Sequence, residues 1–250
     1  MEDGRAVVVG RPWRPLVRLA AGAAGLVVVL IPVQAAVFLL HPPPDTAAEY
    51  FALFERNPLL GLVSLDLLLT VDYLAMIPFY LALYVLLRRE SPAWALVGLV
   101  TGLLSLTLYL VSREATFAMW QLSGQFRSAT DEADRAVYRA AGQAFLTLYD
   151  GGTFGVSYVL GAASTLVFSV VMLRRRVFGT LPGIVGLVTG ATMLVPPNVG
   201  PAGVALAMAS LVPTLVWLVV LCHAFLVRVR YEPDRTAVAP PPVRGGTLPR

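Results

Sequence analysis

Lysine is absent from the chain, and all nineteen of its basic residues are arginine. A protein that binds retinal or pyridoxal phosphate through a Schiff base needs a lysine amine, so both classes are excluded. A single cysteine excludes an internal disulfide and a paired-thiol redox site. Two histidines and one cysteine also make a poor zinc set. We therefore expect neither a metal nor a cofactor.

Charge is scarce as well. Only 14% of the 250 residues are charged, whereas 57% are hydrophobic and the mean hydropathy is +0.74. In soluble domains about a quarter of the residues are charged. This composition predicts an integral membrane protein, and its bias towards arginine, alanine, glycine and valine suggests a bacterial source.

Six apolar runs have the length and composition of transmembrane helices. They cover residues 16–40, 60–87, 92–112, 154–173, 181–196 and 201–227. The fifth run is short and ends at Pro196 and Pro197, so we expect it to be tilted, kinked or partly re-entrant. The first run follows four arginines, as in a signal peptide, but it exceeds the roughly 7–15 apolar residues of such a segment and is interpreted as a retained span. The sequence predicts an all-α, six-span membrane bundle over residues 16–227.

The arginines predict the orientation of this bundle. Fourteen of them lie in the N-terminal 18 residues, in the loops at residues 88–89 and 174–176, or after residue 227, and five lie in the loops on the other side. The positive-inside rule then places both termini in the bacterial cytoplasm. Residues 1–15 are interpreted as a basic cytoplasmic N-terminus, and the proline-rich residues 228–250 as a disordered cytoplasmic tail.

Two outer segments have helical patterns. Thr46 and Glu49 have the spacing of a capping box before a short helix. Ser128 and Asp131 form a second capping box within the outer amphipathic segment 113–153, and Asp150 with the following glycines ends that helix. The stripe expected to pack consists of Ala133, Ala136, Val137, Ala140, Ala141, Ala144, Phe145 and Leu148. This helix is interpreted either as a structural cap or as a lid that faces a ligand.

The pentapeptide GLVTG occurs twice, at residues 98–102 and 186–190. Duplication of a helix pair is one explanation, and chance similarity between apolar spans is the other. Each copy is a GxxxG motif, whose small residues allow a neighbouring helix to approach closely. We interpret Gly98, Gly102, Gly186 and Gly190 as packing positions within the chain, with a homo-oligomer interface as the alternative.

Two aspartates within the second run are the strongest candidates for a functional site. An ionisable side chain at membrane depth is unfavourable unless it is paired, protonated or hydrated. Asp66 and Asp72 are six residues apart, which places them about 9 Å apart along a helix and on different faces, so they are not a catalytic pair. The face of Asp66 also carries Thr70, Tyr73, Tyr80 and Tyr84. This polar and aromatic face predicts the lining of a cavity.

Two interpretations of these aspartates remain open. In the structural one, Asp66 pairs with Arg113 at the outer end of the third run, and Asp72 is protonated or bonded to a hydroxyl. In the functional one, Asp66, Asp72, Tyr73, Tyr80 and Arg113 form a ligand or proton pathway. The chain lacks the GxGD and GxSxG motifs of aspartyl and serine hydrolases, and His41 and His223 lie near opposite ends of the bundle. We therefore expect a protein that is not an enzyme and has no catalytic residue.

From Ser112 onward the chain resembles a known family. The resemblance rests on the outer helix that closes at Tyr149-Asp150-Gly151, on FGVSY at residues 154–158, and on MLVPP at residues 193–197. These features are similar to bacterial six-span membrane proteins of the domain of unknown function four-three-eight-six family. The similarity extends over roughly residues 60–227, without the first span or the tail. It implies a compact helical bundle in the bacterial cytoplasmic membrane and supplies no catalytic residue.

The leading hypothesis for function is binding or passage of a small molecule or lipid through a cavity beside the second span. The alternative is a structural or partner-binding membrane subunit without a ligand of its own. The expected partners are the lipid bilayer, a small-molecule or lipid ligand and a second copy of the chain in a homo-oligomer. No nucleic acid is expected to bind.

Overall fold

A computed structural model describes residues 7–231 as ten α-helices, two short strands and two turns of 3₁₀ helix. The helices are α1 (Arg14–Leu40), α2 (Ala47–Arg56), α3 (Pro58–Ser64), α4 (Leu67–Leu87), α5 (Pro92–Ser112), α6 (Glu114–Ser128), α7 (Glu132–Tyr149), α8 (Gly152–Arg175), α9 (Leu181–Thr192) and α10 (Pro201–Val227). The strands are β1 (Val7–Val9) and β2 (Val229–Tyr231), and the 3₁₀ turns are Arg11–Trp13 and Pro197–Val199.

Six of the helices form a closed ring. Around it, α1 packs on α4, α4 on α5, α5 on α8, α8 on α9, α9 on α10, and α10 on α1. Within residues 7–231, five helical stretches are long and apolar enough to cross a membrane: Arg11–Leu40, Leu67–Leu87, Pro92–Ser128, Glu132–Arg175 and Pro201–Val227. The sixth member, α9, has only 12 residues and spans about 18 Å, short of a hydrocarbon core of about 30 Å. The prediction of an all-α bundle is confirmed, with the fifth run as its short member.

The second predicted span is not one helix. Its first part is α3, and the chain breaks at Leu65 and Asp66 before α4 begins. Asp66 has a φ of 61°, in the left-handed region, so the helix does not continue through it. The prediction of a continuous helix over residues 60–87 is therefore wrong. Hydropathy gives no sign of the break because the residues on both sides of it are apolar.

The main core fills the end of the ring where β1 and β2 lie. Its centre is aromatic: the Phe79 ring lies 5.6 Å from that of Trp217 and 5.7 Å from that of Phe225, measured between centroids. Beside it, β1 and β2 pair in parallel, with Val7 opposite Val229. This contact joins the two ends of the described chain and closes that end of the ring.

The strand pair corrects the predicted tail. The composition predicts a disordered segment over residues 228–250, yet Val229–Tyr231 form β2. The guanidinium of Arg228 also donates a hydrogen bond to the carbonyl of Phe178 at 2.7 Å. A three-residue strand carries too short an alternation to be recognised in sequence. The rest of the predicted tail, residues 232–250, and residues 1–6 of the basic N-terminus lie outside the described residues.

Helices α2, α3, α6 and α7 form a cap at the opposite end of the ring. A second, smaller core holds the cap together, and its members include Tyr50, Phe51, Phe54, Met119 and Leu146. The capping box predicted at the start of α2 is confirmed. The Thr46 hydroxyl accepts a hydrogen bond from the Glu49 amide at 3.3 Å, and the Glu49 carboxylate accepts one from the Thr46 amide at 3.3 Å.

The outer amphipathic segment is two helices, α6 and α7, which pack against each other. Ser128 ends α6, and Asp131 alone caps α7 by accepting a hydrogen bond from the Asp134 amide at 2.7 Å. The predicted capping box at Ser128 is therefore wrong. Asp150 ends α7 as expected.

The predicted apolar stripe of α7 is not its packed face. Val137 and Leu148 are 64% and 63% exposed, whereas Gly142 and Leu146 are buried. A Cβ atom on Gly142 would lie 2.8 Å from the Phe51 ring and 2.9 Å from the Cβ of Ala47. Glycine at this position therefore allows α7 to approach α2 closely. The face of α7 with this glycine and large side chains packs better against the cap than a face built mainly of alanine.

Both GxxxG motifs contact α8. The Gly98 carbonyl accepts a hydrogen bond from the Ser164 hydroxyl at 2.7 Å, and a Cβ on Gly102 would lie 2.8 Å from the same hydroxyl oxygen. On α9, Gly186 lies against Ser169 and Trp217, and a Cβ on Gly190 would lie 2.6 Å from the Leu166 side chain. These four glycines lie between neighbouring helices of one chain.

Substitution of Gly102 by leucine should destabilise the ring. The added side chain would collide with Ser164 and with Tyr80, which is buried, and overpacking of this kind costs about 1–3 kcal/mol. The matched control is Gly25→Leu, because nothing lies within 4 Å of a Cβ at Gly25 in α1. Thermal unfolding of the purified variants should show a midpoint several degrees lower for Gly102→Leu only. Equal midpoints for the two variants would contradict close packing at Gly102.

Candidate functional site

A cavity of about 890 Å³ lies inside the ring, between the main core and the cap. Each of the six ring helices contributes to its lining, as do Tyr50 and Tyr149 of the cap. Its lining also includes the exposed loop residues Pro43 and Asp45, so the cavity meets the surface beside the cap. Towards the main core it ends at Tyr80, Trp217 and their neighbours. The volume is within the range of about 300–1,000 Å³ that is typical of ligand pockets.

The structure places all five candidate pathway residues in the lining of this cavity. They are Asp66, Asp72, Tyr73, Tyr80 and Arg113. Asp66 and Arg113 lie at the end nearest the cap, where α4 and α6 begin. Asp72 and Tyr80 lie further along α4, and Tyr73 stacks on Tyr109 of α5 with ring centroids 3.5 Å apart. The lining therefore brings the candidates into one cavity while keeping the two aspartates in separate surroundings.

Asp66 forms a buried ion pair. The Arg113 guanidinium donates a hydrogen bond to the Asp66 carboxylate at 2.9 Å, and the Arg113 side chain is only 2% exposed. A second guanidinium nitrogen donates to the Tyr149 carbonyl at 3.3 Å. The guanidinium carbon also lies 3.7 Å from the ring centroid of Tyr149 and 4.7 Å from that of Phe154. Arg113 thus has a carboxylate, a carbonyl and aromatic faces around it, which compensate for its burial.

Side chains from three other helices approach the backbone carbonyls at the helix break beside Asp66. Gln34 of α1 donates to the Val63 carbonyl at 3.1 Å, and Thr116 of α6 donates to the Leu65 carbonyl at 2.7 Å. The hydroxyl of Tyr50 in α2 lies 3.5 Å from the carbonyl oxygen of Ser64. Buried carbonyls at a break in a helix need hydrogen-bond donors, and the Val63 carbonyl also accepts a hydrogen bond from the Asp66 amide at 3.1 Å. The break, the ion pair and the base of the cap are therefore one hydrogen-bonded unit.

Asp72 has different surroundings. It is 3% exposed, and neither of its carboxylate oxygens has a hydrogen-bond partner among residues 7–231. The expected bond from Asp72 to a neighbouring hydroxyl is therefore not present in the described structure. A buried polar group without a partner costs free energy, so its retention calls for an explanation such as a ligand, an ion or water.

Three further polar groups in the lining were missed by sequence reasoning. The Ser64 hydroxyl, the Tyr109 hydroxyl and the Trp217 indole nitrogen are buried and, within the described part of the chain, have no hydrogen-bond partner. All three residues line the cavity. A signal for Trp217 existed, because tryptophan in membrane helices prefers the interfaces, and this one lies inside α10. No sequence signal pointed to Tyr109, because its stacking with Tyr73 is visible only in the structure.

The connection between α9 and α10 also contributes to the lining, through Met193 and Pro197. Its backbone is irregular from Met193 to Gly200, apart from one 3₁₀ turn. The Asn198 amide donates hydrogen bonds to the carbonyls of Asp150 and Gly151 at 3.0 and 3.2 Å, which holds this connection against the start of α8. Within residues 7–231, no group of three or more histidine, cysteine or acidic side chains is placed to hold a metal ion.

A closed ring of apolar helices with a capped internal cavity defines the chain as an all-α bundle of membrane-protein character. The chain belongs to the family described as Domain of unknown function (DUF4386), whose model matches residues 19–228. The match confirms the family inferred from residues 60–227 and extends it through most of α1. No curated protein and no solved structure matches the chain.

The two aspartates should respond differently to neutral substitution. Asp66→Asn leaves Arg113 as a buried positive charge without a carboxylate partner. Arg113→Gln leaves the Asp66 carboxylate buried without a positive partner. Each change should cost about 3–5 kcal/mol of unfolding free energy, and the double variant should cost less than the sum of the two. Asp72→Asn removes no hydrogen bond and should leave stability unchanged. Thermal unfolding in detergent measures all four variants, and a large loss of stability for Asp72→Asn would show that this residue is structural.

Proposed function

We propose that the protein is an integral membrane protein that binds a small amphipathic molecule or a lipid in the cavity of the ring. The cap faces the outside of the cell, both termini lie in the cytoplasm, and the protein performs no chemistry on its ligand. Binding rather than passage is favoured because the main core closes the cavity at the end opposite the cap.

The outer surface of the ring supports insertion into a bilayer. Leu19 of α1, Val111 of α5 and Val212 of α10 are 61%, 60% and 68% exposed. Large apolar side chains exposed on several helices of one bundle are unfavourable in water and favourable against lipid. Together with five stretches long and apolar enough to cross a membrane, this surface favours a transmembrane position for the ring.

The distribution of arginine supports the orientation. Arg88, Arg89 and Arg174–Arg176 lie at the ends of α4 and α8 next to the main core, and Arg14 and Arg228 flank α1 and α10 at the same end. The positive-inside rule places this end in the cytoplasm. The cap and the mouth of the cavity would then face outwards.

Cysteine labelling tests this orientation. In a Cys222→Ala background, Gln125→Cys lies on exposed α6 of the cap and Thr180→Cys on the exposed loop before α9. A membrane-impermeant maleimide should label the cysteine at position 125 in intact cells. It should label the cysteine at position 180 only after the membrane is permeabilised. The reverse pattern would invert the orientation, and labelling of both positions in intact cells would contradict a transmembrane ring.

The observation that carries the binding proposal is the set of unpartnered polar groups in the cavity. Ser64, Asp72, Tyr109 and Trp217 come from four different helices, and all line one cavity whose remaining surface is largely apolar. A few polar groups on an apolar wall are typical of a ligand site, since the wall provides apolar contacts to the ligand and the polar groups fix its orientation. The irregular backbone at Met193–Gly200 gives independent support. At membrane depth such backbone is tolerated where it is buried in protein or lines a hydrated cavity.

Binding can be tested with two bulky ions of similar shape, tetraphenylphosphonium and tetraphenylborate. At least one should bind saturably to the detergent-purified protein in equilibrium dialysis. Ala207→Phe should abolish that binding, because Ala207 is buried and lines the cavity. The phenylalanine ring would occupy part of the cavity. The control is Ala205→Phe, on the exposed face of the same helix and outside the lining.

Three results would count against a binding cavity. They are the absence of saturable binding for both ions, a loss of binding in Ala205→Phe as large as in Ala207→Phe, and binding by Ala207→Phe that equals the wild type. The first result together with normal folding of Ala207→Phe would favour the alternative of a structural or partner-binding subunit.

A further inference from the structure

We propose that the ligand of this cavity is a lipophilic organic cation, such as an amine or quaternary ammonium compound with a bulky apolar body, and that Asp72 is its counter-charge. This inference rests on the proposed binding function and adds the chemical class of the ligand. It follows from the charges that line the cavity, from the partners these charges already have, and from the aromatic side chains of the lining.

The charged side chains of the lining are predominantly acidic. Among the described residues they are four aspartates, Asp45, Asp66, Asp72 and Asp150, and one arginine, Arg113. Asp45 lies at the mouth, Asp150 beside the cap, and Asp72 deepest along α4. A cleft lined by one sign of charge and bounded by low-dielectric walls concentrates ligands of the opposite sign. The lining therefore favours a cation along the whole path from the mouth to Asp72.

Arg113 does not offset this preference for cations, because its positive charge is balanced by the Asp66 carboxylate. It is 2% exposed, it is paired with Asp66 at 2.9 Å, and it lies between the rings of Tyr149 and Phe154. An anionic ligand would have to displace the Asp66 carboxylate, which would then be buried without a partner. Once the pair is counted as neutral, Asp72 is the charged group that remains deep in the cavity.

Asp72 is a buried carboxylate without a charged or hydrogen-bonding partner in the described chain. Only 3% of its surface is exposed, and both carboxylate oxygens face neither a donor nor a cation in residues 7–231. An ammonium or phosphonium centre placed beside it would supply the opposite charge where little water can screen it. A neutral ligand could donate a hydrogen bond to Asp72 but would leave its charge unbalanced, and an anionic ligand would add repulsion.

Aromatic side chains are frequent in the lining of the cavity. The lining includes the following aromatic residues of the ring helices: Tyr73, Tyr80, Tyr109, Phe154, Tyr158 and Trp217. The faces of such rings attract cations, and aromatic cages are a recurring solution for quaternary ammonium recognition. The unpartnered Tyr109 hydroxyl and Trp217 indole add polar contacts for a heteroatom elsewhere on the ligand.

An inorganic cation fits the same site poorly. Calcium and magnesium take about six or more oxygen ligands, whereas Asp72 is not part of any acidic, histidine or cysteine cluster of three in the described chain. The lining of the cavity is largely apolar, with Met76, Leu106 and Leu218 among its members. A cation with its own apolar surface satisfies both the carboxylate and this wall.

The test compares tetraphenylphosphonium with tetraphenylborate on the full-length protein in dodecyl maltoside, by equilibrium dialysis. Binding that persists in Ala207→Phe is subtracted as partition into the detergent micelle. Asp72→Asn should weaken phosphonium binding at least tenfold and should leave borate binding unchanged or stronger. Asp72→Glu should retain the preference of the wild type. The control Glu55→Gln removes the same charge from an exposed position on α2, outside the lining, and should change neither ion.

The possible outcomes distinguish failure of the cation site at Asp72 from failure of the proposed binding function. Loss of phosphonium binding in Asp72→Asn, with borate binding retained or absent throughout, supports a cation site at Asp72. Equal effects of Asp72→Asn on both ions, or borate binding alone, overturn the inference and leave a binding cavity in place. If neither ion binds the wild type saturably, both the inference and the binding function fail. Thermal unfolding of each variant verifies that it is folded before dialysis.

Discussion

The break between α3 and α4 is the constraint on which the rest of the structure depends. A helix that stops inside an apolar bundle leaves carbonyl groups without partners, and each unsatisfied group costs free energy. Here Gln34, Thr116 and Tyr50 approach the carbonyls, and Arg113 pairs with Asp66 at the same point. These side chains come from α1, α2 and the start of α6, so the same bonds hold the cap onto the ring.

The anchored cap creates the cavity by keeping two hydrophobic cores apart. The main core packs one end of the ring around Phe79 and Trp217, and the cap has its own core around Phe51 and Met119. Neither core fills the volume between them, where Asp72 is buried without a partner. A chain selected for stability alone would be expected to fill this space with apolar side chains, because voids and unpaired polar groups both destabilise.

The two aspartates show how similar residues in one sequence segment acquire different roles. Asp66 lies at a helix start and meets an arginine that aromatic rings hold in place. Asp72 lies within a regular helix and faces the cavity. A separation of six residues along a helix predicts different faces, and hence different surroundings. Which of the two aspartates has a charged partner depends on where Arg113, at the junction of α5 and α6, lies beside α4.

Several features could be predicted from sequence because they depend on local composition or spacing. The apolar runs set the helices of the ring, with α5 and α10 at the predicted bounds, and the spacing of Thr46 and Glu49 set the start of α2. The cost of an isolated charge at membrane depth suggested that Asp66 pairs with Arg113. These inferences need only the properties of a helix and of its solvent.

Other features were decided by tertiary structure, because they depend on which surfaces meet. The predicted stripe of α7 was wrong since Gly142 lets Phe51 approach, and a pattern of apolar residues does not reveal where a neighbour needs space. The strand pair of the two ends, the break at Asp66 and the contribution of Trp217 and Tyr109 to one cavity all involve residues far apart in the chain. Sequence by itself determined the helices and the cost of burying their charges. Only the tertiary structure decided that Asp66 has a charged partner and that Asp72, in the lining of the cavity, has no hydrogen-bond partner among the described residues.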